Sequence, residues 1–282
     1  MIEKRSNNEG VVVITGATGM LGGATARALA ARGVDTALVA RDRAKGAALL
    51  DDLHGAGGHH RLVVGDLSVL DDVRRIASEI DSFPCGVRGL IHTAATLKPA
   101  REETVDGLES MFATNVLARL LLTHALRGAL KRGAPSRVVM VTGPSPDRLD
   151  FDDLMARNRY QPFLQFRATN AANLMLVFHL AHALEKDGIS TYAYHPGILQ
   201  SALMKQMPAI VRYITLPFGR SAEPAANALA ALALRETDDA RSGTFFKLSR
   251  PIDPPKASTD TTQQAMLWRE AHRLLHLVPE SS

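Results

Sequence analysis

The sequence predicts an α/β fold, a single domain of 282 residues with one doubly wound parallel sheet and helices on both faces. Short apolar runs rich in β-branched residues alternate along the chain with helical patterns of roughly 10–20 residues. The first run, at 11–16, turns directly into a glycine-rich stretch that opens a helix. No repeat, low-complexity linker or shift in composition marks a second domain, and α/β folds of this length are common as single units.

The predicted strands are continuous apolar runs, because a parallel sheet is covered on both faces. The predicted helices place apolar residues three and four positions apart. In chain order, strands are expected at 11–16, 35–41, 61–66, 89–95, 137–143, 190–197 and 243–248, and helices at 21–31, 43–54, 69–80, 106–131 and 161–184. We expect the proline-broken segment 198–220 to cover a substrate cleft as a lid. Residues 252–282 are expected to form a C-terminal helical tail.

Composition excludes several classes of protein. The net charge of +4 comes from arginines scattered among acids, which disfavours a nucleic-acid-binding patch. The single cysteine, Cys85, excludes an internal disulfide and suits a reducing compartment. The N-terminal residues are charged and polar, unlike a signal peptide, and no apolar run reaches the roughly 18–20 residues of a membrane span. We therefore expect a soluble cytoplasmic protein with no membrane or nucleic-acid partner.

The stretch TGATGMLGG, at 15–23, has the composition of a phosphate-binding turn between a strand and a helix. Glycines there let the backbone approach a pyrophosphate, and the helix N-terminus supplies free N–H groups. The residues predicted to contact the cofactor here are Thr15, Gly16, Thr18, Gly19, Met20, Leu21 and Gly22. The alternative is a tight glycine-rich turn with no ligand.

The end of the second strand indicates which dinucleotide would bind. NAD-preferring folds usually place an acid there, whereas this chain has Ala40 followed by Arg41, a cation suited to a 2′-phosphate. The pattern favours NADP(H) over NAD(H), although Arg41 also fits a solvated loop charge. Asp66, followed by Leu67 at the end of the third strand, is placed to accept a hydrogen bond from the adenine amine, or else to cap the next helix.

These stretches resemble the short-chain dehydrogenase/reductase superfamily, and in particular its retinol-dehydrogenase-like branch. The similar segments are VVVITGATGMLGGATARALAARG at 11–33, LVARDRAKG at 38–46, VGDLSVLDDVR at 64–74, FATNVLARLLLT at 112–123, LDFDDL at 149–154 and HPGIL at 195–199. The resemblance covers about residues 10–278 and implies a Rossmann-like, dinucleotide-binding domain. It implies that Asn115 helps to anchor a catalytic lysine through water and that the segment around Ala94 braces the sheet beneath the cofactor. It also implies that Pro196, Gly197 and Ile198 border the nicotinamide.

The chain departs from that family at several functional positions. Met20 stands where the branch has the middle glycine of its turn. The family carries Tyr-x-x-x-Lys on a helix, with both side chains on one face. Alignment through Tyr160 and Asn173 leaves Phe166 at the tyrosine position and Asn170 at the lysine position, and Gly143 replaces the substrate-orienting serine.

Loss of a positioned acid typically costs roughly 10²–10⁴ in rate, so ordinary ketone or alcohol chemistry is not expected. Hydride transfer to an already cationic carbon needs no such acid. Tyr160, Thr142, Ser145 and His92 are candidate substitutes for the missing proton donor. Each also has a structural interpretation: Tyr160 matches a residue of the resembling branch, Thr142 and Ser145 fit a turn, and His92 fits a packed core histidine.

Three functions remain open from the sequence. The first is an atypical NADP(H)-dependent oxidoreductase acting on a small apolar molecule. The second is a non-redox enzyme, such as an isomerase, cyclase or dehydratase, on the same scaffold. The third is a catalytically inactive dinucleotide-binding or partner subunit. No metal site is expected, because the histidine pairs 179/182 and 272/276 lack an obvious third ligand. Assembly into a homo-oligomer stays open.

Overall fold

The computed structural model describes residues 10–199, 221–234 and 241–277. Within these ranges one eight-stranded sheet has the order β3-β2-β1-β4-β5-β6-β7-β8. The strands are β1 Val11–Thr15, β2 Thr36–Ala40, β3 His60–Val64, β4 Val87–His92, β5 Ser136–Val141, β6 Ile189–His195, β7 Thr244–Lys247 and β8 Arg250–Pro251. Neighbouring strands are parallel except β7 and β8, which pair antiparallel. This is the predicted doubly wound α/β fold.

The helices connect successive strands. They are α1 Met20–Ala30, α2 Arg43–Asp52, α3 Leu70–Asp81, α4 Ser110–Phe112, α5 Ala118–Ala125, α6 Arg127–Arg132, α7 Pro162–Ala183, α8 Glu223–Ala233 and α9 Thr261–Leu274. A π-helical turn, Ala113–Leu117, joins α4 to α5. Caps fix several starts: the Asp42 carboxylate accepts the Lys45 N–H at α2, and the Asp260 carboxylate accepts the N–H groups of Thr262 and Gln263 at α9.

Both faces of the sheet are covered, as the prediction required. Buried residues of α1, α2 and α8 pack with Val12 and Ile14 on one face. Residues of α3, α5, α7 and α9 pack with Val11 and Val13 on the other. Alternate residues of β1 therefore enter two separate cores, which explains why its first four residues are all apolar. In the tail, the Trp268 ring of α9 lies 4.4 Å from the His179 ring of α7.

Two features differ from the sequence-based expectations, and one expected segment lies mostly outside the described residues. The helix expected at 106–131 begins at Ser110, because the Glu109 carboxylate accepts the N–H groups of Met111 and Phe112 and so caps it there. Helix α8 and strand β8 were not predicted, since an alanine-rich segment and a two-residue strand carry little periodicity. Most of the expected lid, 200–220, lies outside the described residues, so the lid stays a prediction.

Candidate functional site

The turn between β1 and α1 needs glycine at two places. Gly16 has a φ of +67°, and a Cβ there would lie 2.7 Å from the Ala94 Cα. A Cβ on Gly22 would lie 2.3 Å from the Gly16 carbonyl oxygen. Gly19 precedes α1 without a side-chain cap, so the first N–H groups of the helix, including those of Met20 and Leu21, are available to an anion. The turn fits a pyrophosphate.

A cavity of about 390 Å³ opens at the carboxyl ends of β1, β2, β3 and β4. Predicted cofactor residues that line it are Gly16, Thr18, Gly19, Arg41, Asp66, Leu67 and Ala94. Predicted cofactor residues outside its lining are Thr15, Met20, Leu21, Gly22, Pro196, Gly197 and Ile198. Thr15 is fully buried in β1, whereas Met20 lines a separate cavity between α1 and α2. The last three follow β6, three strands away from β1, where the other end of a dinucleotide would lie.

Two cations flank the β2 end of this cavity. Arg41 Nη1 lies 3.7 Å from Asp66 Oδ2, and Lys45 Nζ lies 3.5 Å from Asp42 Oδ2. The Lys45 N–H is the main cause that lowers the pKa of Asp42. Sequence reasoning missed Lys45, although its position four residues after Arg41 could have indicated it. Both cations are well exposed and so accessible to a phosphate.

Asp66 organises the loop after β3. Its Oδ1 accepts hydrogen bonds from the Ser68 N–H and hydroxyl, each at 2.8 Å. Asp66 does not cap α3, whose N-cap residue is Val69 without a side-chain cap. Its second carboxylate oxygen lies beside Arg41, and Asp66 lines the cavity, which suits the predicted hydrogen bond from an adenine amine.

On the far side of β4, helix α7 brings an amide to the carboxyl end of β5. The Thr142 hydroxyl lies 3.2 Å from both the carbonyl oxygen and the Oδ1 of Asn170. A Cβ on Gly143 would lie 3.4 Å from Asn170 Nδ2, an ordinary contact. Phe166, half-buried, precedes Asn170 by one helical turn and so shares its face. Phe166, Asn170 and Gly143 thus form one group.

Amide hydrogen bonds connect this group to the loop after β4. Asn115, in the π-helical turn, accepts the Thr96 N–H at 2.8 Å and donates to the Thr96 carbonyl at 2.9 Å. The main-chain oxygen of Asn115 accepts from Asn173 Nδ2 at 2.9 Å. Thr96 also lines the cavity, so Asn115 couples α7 to the cavity wall.

An arginine that the sequence analysis overlooked lies between the cavity and α7. Arg119, on α5, is 3% exposed. Its Nη1 donates to the Val141 carbonyl at 2.7 Å and its Nη2 to the Ala94 carbonyl at 2.6 Å. Burial lowers the pKa of Arg119 to about 9, so the guanidinium stays charged at neutral pH. It ties the carboxyl ends of β4 and β5 together.

Comparison with known proteins identifies the family. A family model described as short chain dehydrogenase matches residues 10–209. The chain belongs to the short-chain dehydrogenases. Human retinol dehydrogenase 12 is 31% identical over 272 residues, covering 94% of this chain and 86% of that protein. Human dehydrogenase/reductase SDR family member 13 is 31% identical over 278 residues, covering 95% and 73% respectively.

Solved structures agree on the fold. An uncharacterized protein from Mycobacterium paratuberculosis matches with a TM-score of 0.78 and 29% identity, covering 96% of this chain and 94% of that one. A metagenomic short-chain oxidoreductase, solved in complex with NADP, matches with a TM-score of 0.64 and 19% identity, covering 85% and 97%. The retinol dehydrogenase relatives confirm the resemblance to the retinol-dehydrogenase-like branch. The solved structures share the fold of this short-chain dehydrogenase.

The candidate substitutes for a proton donor have structural partners in this short-chain dehydrogenase. Tyr160 donates to the Lys98 carbonyl at 2.7 Å, and burial raises the pKa of Tyr160 to about 12, which makes it a weaker acid. The Ser145 hydroxyl is fully buried and donates to Asp147 at 3.0 Å. Thr142 is held by Asn170, as described. None of these contacts prepares a strong acid.

His92 has the clearest structural interpretation among these candidates. Its Nε2 lies 3.1 Å from the Thr123 hydroxyl beneath α5, and its side chain is 1% exposed. Burial, and then the charge of Arg119, keep the pKa of His92 well below its usual range. His92 is a neutral, packed histidine, and the structure supports the alternative interpretation of this residue.

Among the described residues, no group of three or more His, Cys, Asp or Glu side chains could hold a metal ion. Within the same ranges, no helix has both the length and the apolar character that crossing a bilayer requires.

Proposed function

We propose that this chain binds NADP(H) in the cavity at β1–β4 and is an atypical oxidoreductase that acts on a small apolar molecule. The observation that carries the proposal is the position of the cavity. It lies between two exposed cations at one end and, beyond Arg119, the group Phe166, Asn170 and Gly143 at the other. The first end suits a phosphorylated ribose, and the second differs from the family's proton-donating site.

The preference for NADP(H) is supported by charge. A 2′-phosphate brings close to two negative charges, which Arg41 and Lys45 can neutralise. The carboxylates nearby, Asp42 and Asp66, are already engaged with backbone N–H groups at 3.0 and 2.8 Å. Neither follows β2 directly, where an NAD-selective acid would hold the ribose hydroxyls.

The chemistry that we propose dispenses with a tyrosine acid. When bound, the nicotinamide supplies or accepts a hydride. Phe166 presents an apolar ring and has no proton to give. Asn170 offers a neutral amide donor, held by Thr142, in place of a lysine ammonium. Such a site suits hydride acceptors that are already cationic, such as iminium carbons.

An apolar substrate is supported by exposed and half-buried apolar side chains on α7 and after β6. Leu164, on α7, is 46% exposed, and Ile198, after β6, is 41% exposed. Phe163 and Phe166 are half-buried on the same helix. Large apolar side chains at a surface mark a binding surface when they gather near a cleft. Because the lone cysteine suits a reducing compartment, we place the protein in the cytoplasm.

The test combines binding with turnover. Calorimetric titration of the purified chain should give a lower Kd for NADPH than for NADH. Small apolar imines and aldehydes are then added separately to the NADPH complex. The nicotinamide absorbance should change with the imines and stay constant with the aldehydes. If product forms without any change in the cofactor, the chain is a non-redox enzyme instead. If NADPH binds and nothing turns over across a broad panel, the chain is a dinucleotide-binding subunit. Failure to bind either dinucleotide refutes the proposal entirely.

A further inference from the structure

The charge of Arg119 has no acidic counterpart in the part of the chain that the structure describes. Its guanidinium donates to two main-chain carbonyls, those of Ala94 and Val141. Burial lowers the pKa of Arg119, and no carboxylate of the described residues opposes this effect. Its Nε has no hydrogen-bond partner among those residues. A buried cation held only by dipoles is costly, because carbonyl groups replace its hydration incompletely.

The groups packed around Arg119 do not cancel this charge. His92, from β4, is neutral for the reason given above. Thr123, one turn further along α5, donates to the Arg119 main-chain oxygen at 2.8 Å and bridges to His92. The strand ends contribute the Ala94 and Val141 carbonyls alone. The guanidinium is therefore a fixed positive charge.

The location of this charge connects it to the proposed cofactor site. Ala94, whose carbonyl it binds, lines the cavity. Val141, its other acceptor, directly precedes the Thr142–Gly143 segment that contacts Asn170. Dinucleotides bind at the carboxyl ends of the strands in such sheets, across the crevice where the strand order reverses. Arg119 thus binds the carboxyl ends of β4 and β5, and the cofactor would extend along these strand ends.

We propose that Arg119 makes this site prefer the reduced over the oxidised dinucleotide. This inference rests on the proposed function. The oxidised nicotinamide ring carries a positive charge that the reduced ring lacks, whereas the phosphates of NADP⁺ and NADPH are the same. A fixed cation beside the site therefore repels the oxidised form alone. Arg119 is a positioning residue that sets the redox preference of the bound cofactor and touches no substrate.

The readout is the ratio of Kd for NADP⁺ to Kd for NADPH, measured by calorimetry. We expect the Arg119→Met variant to lower this ratio about tenfold, the effect of a unit charge acting over roughly 10 Å at an effective dielectric near 20. For a two-electron couple, tenfold corresponds to about 30 mV. Arg119→Lys keeps the charge and should keep most of the ratio.

A matched control separates charge at the site from loss of a buried arginine. Arg137 is also 3% exposed, and its Nη1 donates to the Leu232 carbonyl at 2.5 Å, but it lies at the amino end of β5. Arg137→Met should lower the melting temperature and leave the ratio unchanged. An unchanged ratio in folded Arg119→Met shows that Arg119 is only a brace, which overturns the inference.

If the Arg119 variants fail to fold, the wild-type chain alone still tests the inference. Wild type should bind NADPH about tenfold more tightly than NADP⁺. Equal affinity for both forms overturns the inference and leaves the proposed function intact. Binding of neither form overturns both.

Discussion

The two cations beside the end of β2 give a prediction that can be worked out in magnitude. Arg41 and Lys45 already reach carboxylate oxygens at 3.7 and 3.5 Å, so each can approach a 2′-phosphate closely. At about 4 Å, a unit cation and a phosphate with about two charges attract by roughly 2 kcal/mol at bulk dielectric. The side chains of Arg41 and Lys45 are 77% and 73% exposed, so salt should reduce this attraction to about 1 kcal/mol. That is roughly fivefold in Kd for each cation.

The assay is calorimetric titration of Arg41→Ala, Lys45→Ala and the double variant with NADPH and NADH. We expect Kd for NADPH to rise about fivefold in each single variant and roughly 30-fold in the double variant, with Kd for NADH changed by less than about twofold. Arg43→Ala removes an exposed neighbouring cation that does not line the cavity, and it serves as the control. An equal loss of affinity for NADPH and NADH would refute the assignment of Arg41 and Lys45 to a 2′-phosphate.

Two further changes probe the turn and the scaffold. Gly22→Ala places a Cβ 2.3 Å from the Gly16 carbonyl oxygen, so calorimetry should show at least roughly tenfold weaker NADPH binding as α1 shifts. Asp187 accepts hydrogen bonds from Lys131 and Arg127, which lower the pKa of Asp187. The wild type should therefore melt higher than Asp187→Asn above about pH 4, and this difference should disappear as pH falls through the lowered native value.

A control for the Gly22 change is available in the chain. Gly128→Ala on α6 meets nothing closer than the Arg132 Nη1 at 3.8 Å, and binding should be unaffected. If Gly22→Ala binds NADPH like wild type, the close approach at this turn is not needed for the cofactor. If the melting difference for Asp187→Asn grows as the solution becomes acidic, the ion pair does not stabilise the fold as described.

Much of the fold could be predicted because local pattern and tertiary structure agree there. The first four residues of β1 are apolar since they enter two cores, and the glycines after the strand mark a turn that Cβ atoms would block. Helix α8 was missed because an alanine-rich segment has little periodicity, and its burial against α1 comes from tertiary packing. The start of the expected 106–131 helix at Ser110 depends on the cap at Glu109.

The sequence predicts the site residues that directly follow strand ends. It predicts less well the residues whose role depends on the direction of their side chains. Lys45 joins the cavity because the first turn of α2 returns toward β2. His92 has the sequence position of a site residue, yet the pleat of β4 points its ring beneath α5. Arg119 gave no indication in the sequence, since its importance comes from burial without a carboxylate partner.

The most direct test of the account introduces a tyrosine and a lysine at the two positions of α7 where we propose that the family's proton donor is replaced. In Phe166→Tyr/Asn170→Lys, the added ammonium should lower the pKa of the new tyrosine from about 10, and NADPH-dependent reduction of small apolar ketones should rise at least roughly 10²-fold over wild type. Phe166→Tyr alone lacks the cation and should give little gain. Fast ketone reduction by the wild type, unchanged in the folded, NADPH-binding double variant, would contradict the account.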